Sequence, residues 1–514
     1  MKPSDHIFFL VKSLTKTERA YFTKFAQRHG LNNNSNYLKL FRGIEAQDIY
    51  DEKALVKKLG DAQLAKQIHV YKNYLYKLIL RALHNYYSGN TSTAKISELI
   101  HYSEILKERG LFNQAKKVLE QANEIAAEYE HKELLLDILR RKADMLISTQ
   151  EFDEESEATI RKAHAETIEL LRKIEWVSEK NMQASLIRMG MRTKGLYIIA
   201  DEQGGVMPFK DDSEYSSFDS KKLNYWTLGI LHKMKGEFKE SLSYFNILLN
   251  LFDKNKQQVD ENLQFYISCL YHVITTAENI DDDKTYQLTV KKLKQLDDRL
   301  ANEPRFYSSS LRIKMMYYET VMFNLFKNGQ IDKVKELAQQ VEKEKLVEKV
   351  EQYTFTHGQE YLEGRKEAMI FYCGVFLLES GYSKDSIRWL NRLAAAKGDA
   401  AKSGQRMLAK LIIIVAYYEA QEYELLKSAA RHYLRLIDRH EAKYKFEKIL
   451  VNTLLKLSVT DTRKAKAVLY NDLKDNILSY SEQYDHLFHY FDFKEWIESK
   501  VTGKTMPEIL SVKS

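Results

Sequence analysis

The feature that most restricts this chain is a short stretch that recurs. In Tyr225–Phe245, YWTLGILHKMKGEFKESLSYF, Gly229 is followed by Gly236 seven residues on, Phe238 two after that, and Phe245 a further seven on. Glycine is scarce, 19 in 514 residues, so this spacing calls for a physical reason. A helix that ends in a tight turn needs a left-handed residue just past its end, and Gly takes that conformation without a Cβ clash. The spacing predicts a helix ending at Lys235, a turn at Gly236 and a second helix from near Phe238. A small residue such as Ser241 lets the two helices approach, and Phe238 and Phe245 fill the space between them.

The same order of events recurs in SEILKERGLFNQAKKVLEQA (Gly110, Phe112, Ala115, Leu119), in FNLFKNGQIDKVKELAQQV (Gly329, Ile331, Val334, Ala338) and in CGVFLLESGYSKDSIRWLNRL (Gly374, Gly381, Ser386, Leu390). Weaker copies surround Phe152 and Tyr423. The turn positions 110, 150, 236, 329, 381 and 421 lie 40, 86, 93, 52 and 40 residues apart. Each of the two widest gaps leaves room for a further hairpin. One hairpin cannot bury both its faces, so the copies must stack.

Composition agrees with helix throughout. The only prolines are Pro3, Pro208, Pro304 and Pro507, and there is no sustained Val/Ile/Thr alternation with hairpin turn signals. The class is all-α. The longest apolar runs, AMIFYCGVFLL and LIIIVAYY, fall short of the ~20 residues a membrane span needs. The N-terminal apolar run, Ile7 to Val11, is too short for a signal-peptide core. Cys269 and Cys373 sit in apolar helical stretches without CxxC spacing, which fits a reducing compartment. The expected setting is cytoplasmic, with no membrane partner.

These hairpins resemble the tetratricopeptide repeat. Tyr225 stands for its first aromatic, then come Leu228-Gly229, His232 in place of the tyrosine, Gly236, Phe238, Ser241 in place of the alanine, and Phe245; the closing proline is absent. The unit averages over 40 residues, longer than the ~34 of the standard repeat. The resemblance covers roughly residues 94–490. It implies a right-handed superhelical solenoid of antiparallel helix pairs. Within that span, the polar, acidic segment 201–220 with Pro208 and a Gly pair reads as a long loop between solenoid segments 94–200 and 221–490. Shorter breaks fall near 281 and 303, and aromatic helices at 491–514 would cap the last repeat.

In such repeats the inward-facing residues of the first helix bind a peptide or helix of a partner protein. The corresponding positions here are Trp226, Ile230 and Lys233, then Phe371 and Val375, then Leu411 and Val415. Nearly all are apolar, which suits an apolar groove and not a carboxylate clamp. The alternative is that these side chains pack against neighbouring helices. The first expected function is a non-enzymatic scaffold that binds a protein or peptide.

Residues 1–93 differ in kind. Residues 1–95 hold 16 Lys/Arg against 7 Asp/Glu, while the remainder of the chain sums to −2. No repeat turn occurs. Thr15 and Glu18 form a capping-box pattern, and short helices lead to a long one, Leu64–Tyr87, with Lys66, Lys72, Lys77 and Arg81 and no acid. Leu64, Ile68, Tyr71, Leu75, Leu78 and Ala82 make its apolar face. Lys66, Asn73, Lys77, Arg81 and His84 line another side at helical spacing. That side either contacts nucleic-acid phosphates, with DEKALVKKLG ahead of it as the first helix of a helix-turn-helix, or is an ordinary solvated face. A nucleic-acid-binding regulator, with the repeats as sensor or partner module, is therefore the second expected function.

Nothing points to catalysis. HExxH, GxSxG and GxGxxG are absent. Gly503-Lys504-Thr505 imitates the end of a phosphate-binding loop, but Glu498 stands where that motif needs its first glycine, so a capping loop is expected. His486 and His489 lie three apart with no second pair to complete a metal site. No cofactor and no metal are expected.

Overall fold

The computed structural model describes residues 6–28, 35–47, 50–60, 66–89, 91–149, 154–193, 217–301, 303–357, 360–394, 404–437, 444–480 and 491–510. Among them there is no strand. The chain forms two compact units, Met1–Val290 and Lys291–Ser514.

The first unit begins with α1 (His6–Ser13), α2 (Lys16–Arg28), α3 (Asn36–Glu45), α4 (Glu52–Leu59) and α5 (Ile68–Tyr87). These share one core, in which Val11, Phe22, Leu38, Phe41, Leu75 and Ile79 are buried. Then follow α6 (Ser92–Glu108), α7 (Phe112–Glu128), α8 (Lys132–Thr149), the long α9 (Glu154–Thr193), α10 (Phe218–Met234), α11 (Phe238–Lys254), α12 (Gln257–Glu261), α13 (Leu263–Asn279) and α14 (Asp283–Leu300), within which the unit boundary falls. The second unit continues with α15 (Tyr307–Lys327), α16 (Ile331–Lys343), α17 (Leu346–His357), α18 (Glu360–Glu379), α19 (Ser383–Ala394), α20 (Gly404–Glu419), α21 (Tyr423–Ile437), α22 (Lys445–Leu457), α23 (Arg463–Tyr480), α24 (Phe493–Thr502) and α25 (Met506–Leu510).

One turn is used again and again. The backbone is left-handed at Gly110, Gly236, Gly329 and Gly381, and also at Glu130, Asp281 and Gln421. At each of them the next N–H reaches back five residues to a helix carbonyl: Leu111 to Leu106, His131 to Ala126, Glu237 to His232, Asp282 to Ala277, Gln330 to Leu325, Tyr382 to Leu377 and Glu422 to Tyr417, at 2.8–3.0 Å. This closing bond satisfies a carbonyl that the helix end would otherwise strand. The break near 281 is thus a turn of the same kind, and it falls within the 93-residue gap that left room for one. The weak copy's turn at 150 and most of the loop 201–220 lie outside the described residues. The last residues of that segment are not loop: α10 starts at Phe218, capped by the Ser217 side chain. Its first N–H donates to the Glu130 carboxylate at 2.8 and 3.0 Å, which ties it to the turn before α8.

The packing inside each hairpin explains why only one copy looks like the family pattern. A Cβ on Gly229 would stand 2.8 Å from the Phe245 ring, and one on Gly374 would stand 2.5 Å from Leu390. These pairs occupy the seventh residue before the turn and the ninth after it. At the equivalent places around Gly329 and Gln421 stand Met322 with Ala338 and Ile414 with Ala430, all buried. Large and small have changed places between the two helices. Interior volume is conserved while the glycine signature is lost.

Candidate nucleic-acid interface

Helix α5 is held from beneath by Leu75, Leu78, Ile79 and Ala82, all buried. Its C-terminal end is anchored by the Tyr87 hydroxyl, which donates to Glu18 at 2.5 Å. Glu18 also closes the capping box of α2: it accepts from the Thr15 N–H at 2.6 Å, and its own N–H donates to Thr15 Oγ1 at 3.2 Å. One carboxylate therefore starts α2 and fixes α5. The middle of α5 is fixed by Lys72, which is buried and donates to Glu52 and to the Tyr50 hydroxyl. Lys72 belongs to the interior of the bundle and not to a binding surface.

With those contacts fixing the helix rotation, Lys66, Asn73, Lys77, Arg81 and His84 are all exposed. Apolar side chains stand among them: Val70 is 50% exposed, Tyr74 43% and Leu80 43%. Tyr74 is steadied by Tyr37, ring centroids 4.5 Å apart, and Tyr37 in turn lies 5.0 Å from Tyr71. Burial beside these rings pushes the Tyr37 hydroxyl's pKa upward.

Among the described residues, no carboxylate of the bundle neutralises the charge on this face. Each described carboxylate there is committed elsewhere: Glu18 as above, Glu45 to Arg19 at 3.0 Å, Asp51 to the Ala54 N–H as the cap of α4, and Glu52 to Lys72. Lys66, Lys77 and Arg81 have no ion-pair partner among the described residues. A helix face with three cations, an amide, an imidazole and an exposed tyrosine suits phosphate contact with base stacking. The helix-turn-helix expectation turns on residues 61–65, which lie outside the described residues.

The other expected site takes a different form. Trp226, Ile230, Phe371, Val375, Leu411 and Val415 are buried between helices. Of the groove candidates only Lys233 is half-exposed. Helices whose side chains are apolar on every side are covered on every side, and α20 is the extreme case: Leu411 to Ala416 is buried without a break. Sequence periodicity alone does not separate a groove wall from such a core.

The remaining motifs resolve into helix ends. Gly503 is the left-handed cap of α24, and Thr505 and Glu508 form a capping box for α25, Thr505 N–H to Glu508 at 2.7 Å. His486 and His489 lie outside the described residues, and among the described residues no cluster suited to a metal ion occurs. One constellation went unnoticed in the sequence: Ser92 Oγ lies 2.5 Å from His131 Nε2 and donates to Glu261 at 2.6 Å. With its proton given to Glu261, the serine accepts from the imidazole, the reverse of what an activated nucleophile needs. Glu261 also accepts from the Ser92 N–H at 3.1 Å, so the group caps α6.

Both cysteines are buried, Cys269 Sγ donating to the Phe245 carbonyl at 3.8 Å, and burial pushes the Cys373 thiol's pKa well up, away from reactivity. No described helix is long and apolar enough to cross a membrane. Comparison with known protein families, with curated proteins and with solved structures finds no match to the chain.

Proposed function

We propose that this chain is a non-enzymatic, cytoplasmic binding protein in which a basic N-terminal bundle docks on nucleic acid and a solenoid of tetratricopeptide-like helix pairs carries that bundle and engages a protein partner. The observation behind the first part is the exposed row Lys66, Lys77 and Arg81, unbalanced by any described carboxylate of its own bundle. The recurring left-handed turn with its five-residue back-bond supports the second. The test is a titration of the full chain with DNA and RNA at several salt concentrations. Three phosphate contacts give a log–log salt slope of roughly −2 to −3. Charge reversal of Lys77 and Arg81 together removes most of that slope. Binding without salt dependence, or unchanged by the reversal, sinks the reading.

A protein-binding reading also rests on an observation of its own. Beside the Gly110 turn lies a cleft of about 680 Å³, walled by Leu111, Phe112, Met145 and Leu146 with Lys116 and Lys142 at its polar side. Clefts of this size and mixed lining take a side chain or two of a partner. Crosslinking with Leu111→Glu beside the unaltered chain tests it. A partner profile indifferent to that change would remove this cleft from consideration.

A further inference from the structure

The buried lysines among the described residues each meet a carboxylate, whereas two partly covered ones, Lys12 and Lys233, are held by neutral acceptors, Lys12 by the Glu45 carbonyl at 2.8 Å. Lys72 meets Glu52, Lys132 meets Glu130 and Asp219 at 3.8 and 3.6 Å, and Lys366 meets Glu351 and Glu363 at 3.0 and 2.6 Å. Lys222, nearly as covered, meets Asp219 at 2.7 Å. Lys233, in the last turn of α10, does not. Its Nζ donates to the Thr275 hydroxyl at 2.6 Å, and among the described residues no carboxylate stands within ion-pair distance. Thr275 Oγ1 gives its own proton to the Tyr271 carbonyl at 3.0 Å, so toward Lys233 it can only accept. A neutral amine held this way keeps its lone pair free.

We propose that Lys233 is a modification site, an amine nucleophile that takes an acyl group from an activated donor such as an acyl phosphate. The amine nitrogen attacks the acyl carbon, the C–O bond to phosphate breaks, inorganic phosphate leaves, and the amine's extra proton goes to water. The product is a neutral Nε-acyl-lysine.

Burial supports the chemistry by pushing the Lys233 ammonium down to about 8. Glu278 on α13 pulls the other way and is outweighed. His272, on the same helix, faces the Trp226 ring, centroids 6.4 Å apart. On α10 itself His232 is engaged by Glu237 at 2.6 Å and stacks on Tyr244 of α11. Ile230 and Trp226 lie one and two turns back on the same helix and are buried. Acylation would therefore convert the Lys233 ammonium to a neutral amide at the end of that helix.

The test uses the full chain and acetyl phosphate, with site occupancy read by peptide mass spectrometry across a pH series. Near pH 7.5 a lysine titrating near 8 is neutral far more often than one at ~10.4. Allowing for its weaker nucleophilicity, we expect acylation about tenfold faster than at the median exposed lysine. The rate at Lys233 should level off above about pH 8 while exposed lysines continue to rise. In denaturant the advantage should vanish. A Lys233 rate within about twofold of the median, a rate still climbing at pH 10, or an advantage that survives unfolding would each overturn the assignment.

Discussion

The outer face of α5 and the first-helix faces of α10, α18 and α20 are written in the same helical period, yet they end in opposite places. On α5 the apolar stripe covers one side, and Lys66, Asn73, Lys77, Arg81 and His84 stay in water. On α18 and α20 apolar residues surround the helix, and Phe371, Val375, Leu411 and Val415 are covered. A helix exposes a surface for binding only when part of its circumference has no apolar claim on the interior. The charged helix keeps an exposed face, and the described acids of its bundle, Glu18, Glu45, Asp51 and Glu52, are engaged elsewhere. The apolar helices keep none because successive hairpins close over them.

The largest effect should come from cutting into the covered faces. Phe371→Ala removes a fully buried ring and should destabilise the chain by roughly 3–5 kcal/mol in chemical denaturation. A cost under about 1 kcal/mol would mean that this face is open after all. Next comes the volume exchange inside the hairpins. Gly374→Met pushes a side chain against Leu390 and should cost roughly 1–3 kcal/mol. Adding Leu390→Ala should recover much of it, because it recreates the arrangement of Met322 with Ala338. A double variant no better than the single one would break the account of how the repeats diverged.

A third effect depends on pH. Glu379 is buried, and burial, aided by Asp492 and Glu495, pushes its pKa well up, while its carboxylate accepts from the Asp492 N–H at 3.1 Å. Below the usual carboxylate range both states hold the proton. As pH rises the unfolded chain ionises first, so the folded state binds more protons and stability falls until Glu379 itself ionises. Glu379→Gln should flatten this decline and leave the protein no less stable at pH 7, as read by denaturation midpoints from pH 5 to 8. An unchanged slope would assign the decline to other groups. The smallest effect on folding belongs to the open face. Lys77→Ala should change stability by no more than about 0.5 kcal/mol while lowering the salt slope of nucleic-acid binding by about 0.9.

These contrasts also show what the sequence could reveal. Turns at 110, 236, 329 and 381 were legible because Gly marks a left-handed position. The one at Glu130 was not, and the one at Asp281 was read only as a break, since the back-bond from His131 and Asp282 holds an ordinary residue in the same conformation. Gln421 was found through the spacing of its neighbours and not through its own identity. The five positions read as the row on α5 are all exposed, because a helix with no acid and one apolar stripe leaves little choice of face. Lys72, outside that row, is buried. Its partner Glu52 lies on another helix, and no local pattern announces such a pair. Trp226 and its counterparts stayed ambiguous for a physical reason: a groove wall and a core position demand the same side chains.

The most direct test of the central claim is photocrosslinking of the full chain to single-stranded DNA and RNA carrying bromouracil, followed by peptide mapping. The account predicts adducts within residues 66–84, with Tyr74 the leading site, lost on charge reversal of Lys77 and Arg81. Adducts confined to the repeats, or none above competitor background, would contradict it.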